Sequence, residues 1–360
     1  MTTHLADSMT AAPVVCPDAA AAEEFAVAMF PAVPDAVGYA GAFTGVIGNL
    51  LLAGGGANFP DGVMPWNGGR KVWHDTLYML NLTSQETGWE IIGRLPKTNG
   101  YGVSLSCREG IVIIGGGDAA RHFSDVWLLT LAADGLPVFG SLPDLPTGLA
   151  QMSGTLVGRR IHLCGGIETA DATAATNAHW MLDLDALGDG WRKMPELPAA
   201  GRILATAAAV GEAFYLMGGC SLASGSDGKP CRTLLRDAWK FSSGRWSRVA
   251  DLPHVLVASA SPAPVAGNSV FLVSGDDGKQ AGLASPEHHA GFSKEVLRYD
   301  TSGDRWTGAS DLTVPPPVTA AVTRWKDQFI FFNGEVRPGV RTTQVFSFIF
   351  PQHQPSVTSA

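Results

Sequence analysis

The chain has 360 residues, of which 43 are glycine and 23 proline; 46% are hydrophobic and only 16% charged. A disordered chain would be richer in charge and poorer in aromatics, and so much Gly and Pro would interrupt a long helical bundle. The net charge of −8 offers no basic face to nucleic acid or to an anionic membrane, so neither is expected as a partner.

Residues 1–24 read as an N-terminal tail. Its start, MTTHLADSMTAAPVV, lacks a basic segment followed by an apolar one, so no secretory signal is expected and the cytoplasm is the expected compartment. FAVAMFPAVP, Phe25 to Pro34, is a strand with an aromatic and a proline stop. From there one pattern recurs: LLLAGGG ends at Gly56, IVIIGGG at Gly117, IHLCGG at Gly166 and FYLMGG at Gly219, while FLVSGDD places Gly275 and FIFFNGE places Gly334 in the same role. The marks lie roughly 50 to 60 residues apart, the period of kelch-type propeller blades.

Each mark follows a strand of small and apolar residues. After it comes a loop, then a strand carrying Tyr78, Trp127, Trp180, Trp239, Tyr299 or Phe346. A further aromatic strand, with Trp89, Phe139, Trp191, Trp246 or Trp306, ends at a Leu-Pro or similar stop. This predicts four antiparallel strands per unit, with the tryptophans packed between sheets. The sixth copy, from near Pro317 to Phe350, holds only three strands, and Phe25–Pro34 supplies the fourth. The expected fold is all-β: a six-bladed kelch-type β-propeller over residues 25–350, its last blade closed by the N-terminal strand, with a tail at 351–360. Closure would leave no free sheet edge.

The five cysteines form no C-x-x-C pair, so no zinc site is expected. Cys107 and Cys164 lie in apolar runs as core thiols. Cys220 and Cys231 are spaced to close a short loop, but a reduced pair is the expectation.

Two segments depart from the repeat. Ala53–Asp75, AGGGANFPDGVMPWNGGRKVWHD, is a glycine-rich insertion carrying Asn58, Arg70, Lys71, His74 and Asp75, without P-loop or dinucleotide spacing. His74 and Asp75 adjoin, but neighbours in a strand face opposite ways. Asn333–Thr342, NGEVRPGVRT, replaces the diglycine and brings Glu335, Arg337 and Arg341 together around a Pro338-Gly339 turn. An idealised two-residue hairpin puts Glu335 and Arg341 on opposite faces; a wider loop would be needed to bring them to one.

GEVRPGVRT, GGGANFP with the following GGRKVWHD, and YGVSLSCREGIVIIGGGD together resemble the N-acetylneuraminate epimerases, the sialic acid mutarotases. In that family the Gly-Glu-x-x-Pro-Gly-x-Arg-Thr blade lies mid-chain; here it is C-terminal, so the resemblance is to a cyclically permuted mutarotase family. It spans residues 25 to 350. It implies an isomerase that opens and recloses a sugar acid by acid-base catalysis, without metal or redox cofactor. It implies Glu335 as proton acceptor with Arg341 beside it at the sugar. Arg202 resembles a further arginine of the family, in a segment that departs from the family's pattern. Asn58, Lys71, His74 and Arg337 complete the substrate-binding candidates. Family members can be periplasmic, which is the alternative compartment. The alternative functions are a non-catalytic kelch interaction module and a copper radical oxidase; the latter needs a Tyr/Tyr/His/His set, and the chain has only five tyrosines.

Overall fold

The computed structural model describes residues 26–349 except 85–87, 227, 310 and 316. The expected tails, with Phe25 and Phe350, lie outside the described residues.

Among these the chain forms six four-stranded antiparallel sheets. The first holds Phe43–Ile47, Leu50–Gly54, Thr76–Asn81 and Trp89–Arg94. The second holds Val103–Cys107, Gly110–Ile114, Val126–Leu131 and Pro137–Ser141. The third holds Ser153–Val157, Arg160–Cys164, His179–Asp183 and Arg192–Met194. The fourth holds Thr206–Val210, Ala213–Met217, Ala238–Ser242 and Arg245–Val249. The fifth holds Val265–Ala266, Ser269–Val273, Val296–Asp300 and Arg305–Gly308. In the sixth, Ala321–Trp325, Gln328–Phe332 and Val345–Ile349 are followed by the N-terminal Ala26–Phe30, which pairs antiparallel with Val345–Ile349.

The second strands of the second, fourth and fifth sheets are predominantly apolar runs because both faces are covered: every residue of Gly110–Ile114, Ala213–Met217 and Ser269–Val273 is buried. Apolar clusters join each sheet to the next. Leu52 and Leu77 meet Ile113 and Trp127; Ile114 meets Ile161; Cys164 meets Leu216; Met217 meets Leu272; Val273 meets Val322. Ile330 and Phe332 of the sixth sheet return to Leu51 and Leu80 of the first. The outer tryptophans donate their indole N–H to a backbone carbonyl of the preceding sheet's stop. Trp89 reaches Pro31 at 2.7 Å, and Trp191, Trp246 and Trp306 reach Pro143, Pro195 and Ala250 at 2.8 Å each. These rings therefore fasten sheet to sheet, as buried indoles need a partner for the N–H.

One residue ahead of the first strand of each sheet takes the same backbone conformation. Gly41, Tyr101, Gln151, Leu204, Ala258 and Thr319 all have left-handed φ between 52° and 63°. Their amides form a closed circuit. Tyr101 N–H donates to Gly41 O, Gln151 to Tyr101, Leu204 to Gln151, Ala258 to Leu204, Thr319 to Ala258 and Gly41 to Thr319, at 2.7–3.0 Å.

The glycine marks have a similar order. The position after each second strand is left-handed in every copy: Gly55, Gly115, Gly165, Gly218, Ser274 and Asn333. Asn tolerates that region. The next residue is always glycine, and the second copy uses Gly116 there rather than Gly117. At Gly334 an added Cβ would lie 2.6 Å from Val318 O, so a side chain cannot enter.

Candidate functional site

The amide circuit floors a cavity of about 450 Å³. A second tier stands above it. The residue after each glycine mark bridges to the residue before each circuit position: Ala57 to Ala40, Gly117 to Gly100, Ile167 to Ala150, Asp276 to Val257 and Glu335 to Val318. Cys220 pairs with Ile203 in the same way. Of this tier Gly117, Cys220, Asp276 and Glu335 line the cavity. Glu335 thus owes its place to the repeat itself; only its side chain is unusual.

Glu335 and Arg341 do share a face. Glu335–Arg337 pairs with Val340–Arg341, with Glu335 opposite Arg341 and a register shift between Glu335 and Arg337. The bulge at Val336, rather than the wider loop the sequence called for, supplies the extra residue. Arg341 Nη1 lies 2.8 Å from Glu335 Oε2, with side-chain exposures of 3% and 19%. Nη1 nevertheless makes no directed hydrogen bond. Glu335 Oε1 accepts from the Gly339 N–H at 3.1 Å. The carboxylate therefore faces the cavity with the guanidinium behind it.

The two departures from the repeat meet here. Arg341 Nε donates to Ala57 O at 3.4 Å, and its guanidinium lies 4.8 Å from the Phe59 ring centroid, both in the glycine-rich insertion. Gly339 has a left-handed φ of 80°, which favours glycine, and an added Cβ would lie 2.4 Å from Met64 Sδ, so the hairpin tip lies against the insertion.

Of the other candidates, Lys71 lines the cavity. Its ammonium is 3.4 Å from Tyr101 Oη and 4.9 and 5.5 Å from the Tyr101 and Trp73 ring centroids. Asn58 is fully buried and His74 half-buried, and neither lines the cavity. His74 Nε2 lies 2.7 Å from Asn58 Oδ1, and Asn58 Nδ2 donates to Gly38 O at 3.1 Å. Burial lowers the His74 pKa, so the ring is neutral and Nε2–H is the donor. This chain braces the insertion. Asp75 turns away to Arg94 at 2.6 Å. Arg202 is 1% exposed and outside the cavity wall. Its fork grips both Asp237 carboxylate oxygens at 2.8 Å and donates to Gly218 O at 3.1 Å. Burial would raise the Asp237 pKa, but the Arg202 and Trp239 hydrogen bonds outweigh it and hold the carboxyl below its ordinary value. Arg337 is exposed at the hairpin and does not line the cavity. Cys220 and Cys231 are free thiols; their strands pair Cys220 with Leu234 and Cys231 with Ala223, out of bridging register.

Several cavity residues carried no repeat anomaly to flag them: Tyr101, Gln151, His122 and Arg232. Aligning the six copies at the residue before the first strand would have exposed Tyr101 and Gln151 as polar occupants of a slot elsewhere filled by Gly, Leu, Ala or Thr. Burial lowers the His122 pKa, and its Nδ1–H donates to Ile167 O at 3.0 Å, which leaves Nε2 an acceptor. Arg232 stands on the hairpin Cys220–Ser224/Pro230–Leu234, on the face shared with Leu234. Among the described residues no His, Cys, Asp or Glu cluster of three is placed to hold a metal ion.

Residues 21–138 match the family model described as N-acetylneuraminate epimerase. N-acetylneuraminate epimerase of Vibrio cholerae serotype O1 is 25% identical over 243 residues, 59% of this chain and 60% of the relative. That of Yersinia pestis (strain Pestoides F) is 38% identical over 87 residues, 22% of this chain and 21% of the relative. The chain spans 56–60% of the length of the first curated relatives it matches. In fold it is similar to the solved structure of YjhT, with a TM-score of 0.65 and 14% identity over 88% of this chain and 95% of that one. Residues 21–138 of the chain are thus similar to the N-acetylneuraminate epimerases, and the chain shares the fold of YjhT.

Proposed function

We propose that the chain is a six-bladed kelch-type propeller, sealed by its N-terminal strand, that interconverts the α and β anomers of N-acetylneuraminate or a related sugar acid. The observation that carries this reading is Glu335 at the wall of a cavity of about 450 Å³, paired with the buried Arg341. That volume lies in the ordinary range for a small-molecule site. The curated relatives' names support the same chemistry.

Anomers of a keto-sugar acid interchange through the open-chain ketone. Opening needs a base for the anomeric hydroxyl proton and an acid for the ring oxygen; positioned groups of this kind contribute about 10²- to 10⁴-fold. Glu335 is the base. Arg341, its Nη1 2.8 Å from Glu335 Oε2, orients the carboxylate. The substrate carboxylate faces Arg232, a cation on the cavity wall. Arg202 does not serve here, because Asp237 already occupies both arms of its fork.

Proton NMR on freshly released α-anomer tests the reading. Wild-type protein should bring the mixture to equilibrium faster than buffer, and Glu335→Gln should not. Relaxation no faster than buffer with wild type would leave a non-catalytic kelch module as the reading.

A further inference from the structure

The reaction needs a proton donor at the ring oxygen as well as a base, and the carboxylate of Glu335 cannot be both in one step. The geometry points to Tyr101 as that donor, with the Lys71 ammonium supporting it. This assignment rests on the mutarotase reading above.

Tyr101 is held by the fold rather than by its ring. Its φ is 60°, its N–H donates to Gly41 O at 2.8 Å and its carbonyl accepts from Gln151 at 2.7 Å, so its backbone is fixed on both sides. The ring then has one place to lie. An added Cβ on Gly41 would sit 2.5 Å from Tyr101 Cδ1, 2.7 Å from Cγ and 2.8 Å from Cε1. Gly41 is the one position of the circuit without a side chain, and the Tyr101 ring covers it. This lays the phenol across the cavity wall that Glu335 also lines.

The hydroxyl is prepared for donation. Lys71 Nζ, 3.4 Å away, has hydrogens only to give, so the phenolic oxygen accepts there and its own hydrogen points elsewhere. The same ammonium stabilises the negative charge left on the oxygen when that hydrogen goes. The Tyr101 and Trp73 faces hold the ammonium in place.

The step balances. Glu335 takes the anomeric hydroxyl proton, and the O–H electrons become the second bond of the ketone. The bond from the anomeric carbon to the ring oxygen breaks with its pair on that oxygen, which takes the Tyr101 proton. Neutral Glu335 and a Tyr101 phenolate beside Lys71 remain. Closure on the other face of the ketone returns both protons.

The test measures anomer exchange at equilibrium by NMR saturation transfer with the full chain and N-acetylneuraminate, comparing wild type, Tyr101→Phe and Lys71→Met. Tyr101→Phe keeps the ring and the backbone and should lower kcat about 100-fold or more, with KM within about threefold. Lys71→Met should lower kcat about 10-fold, and it carries the test if Tyr101→Phe does not fold. Tyr101→Phe with more than a third of the wild-type kcat, a loss wholly in KM, or full-rate Lys71→Met would each overturn the assignment and leave the mutarotase reading intact. A wild-type protein that does not accelerate exchange would overturn both.

Discussion

Two arginine–carboxylate pairs sit in equally buried surroundings and are built to different ends. Arg202 and Asp237 form a closed fork: two parallel bonds at 2.8 Å, a third from the guanidinium to Gly218 O, and Trp239 Nε1 on the same carboxylate at 2.6 Å. Arg341 and Glu335 make a single close approach of 2.8 Å without a directed hydrogen bond from Nη1, the other carboxylate oxygen accepts only from the Gly339 N–H, and Glu335 lines the cavity. A buried charge pair whose hydrogen-bonding capacity is spent is part of the scaffold. One with capacity left over, next to a cavity, is equipped for a substrate. The family resemblance grouped Arg202 with the site, because a matched arginine says nothing of whether its fork is already occupied.

Substitutions in the two pairs should therefore separate activity from stability. Glu335→Gln has the largest effect on the reaction, lowering exchange about 100- to 10,000-fold, while its thermal midpoint falls less than that of Asp237→Ala, because the amide keeps an acceptor beside Arg341. Equal midpoint losses in Glu335→Gln and Asp237→Ala would erase the distinction. Asp237→Ala leaves Arg202 buried without its counter-ion and should destabilise by about 3 kcal/mol, read by urea unfolding. Its remaining folded fraction should keep the wild-type exchange rate per molecule.

A third buried polar pair sharpens the contrast through pH. His162 Nδ1 lies 2.9 Å from His179 Nε2, with both rings stacked on Phe214 between the third and fourth sheets. Burial first, then the charge of Arg160 on His162 and the neighbouring imidazole on His179, holds both well below the ordinary histidine range. The unfolded chain binds these protons more readily than the folded one. Stability is thus fully present above about pH 6.5 and falls as pH drops below it. A thermal midpoint that stays flat between about pH 6.5 and 4 would refute a buried neutral pair. The smallest effect belongs to Arg337→Ala, exposed at the hairpin, which should change exchange less than about twofold.

The strand pattern was legible because both faces of each second strand are covered, which forces apolar runs such as IVII and FYLM to end at glycines. The pairing of the N-terminal Ala26–Phe30 with Val345–Ile349 was legible from a strand missing in the sixth copy. Glu335 was legible as a break in the glycine marks. Its partnership with Arg341 was implied by the family resemblance but not by the hairpin pattern, because a one-residue bulge decides the facing and leaves no compositional trace. Tyr101, Gln151 and Arg232 were hidden for another reason. They occupy ordinary repeat or hairpin positions, and only the convergence of separate sheets makes them neighbours of one cavity.

The circuit of six amides has a consequence for how this molecule can change. Each circuit residue gives its N–H to one neighbour and its carbonyl to the other, so the floor of the cavity is assembled without using any of its side chains. Shape and chemistry are thereby uncoupled at this level. The side chains now represented by Tyr101, Gln151, Leu204, Ala258 and Thr319 act as interchangeable fittings on a fixed hub. A relative could exchange one to suit a different ligand without re-solving the fold, provided the incoming residue accepts a left-handed backbone.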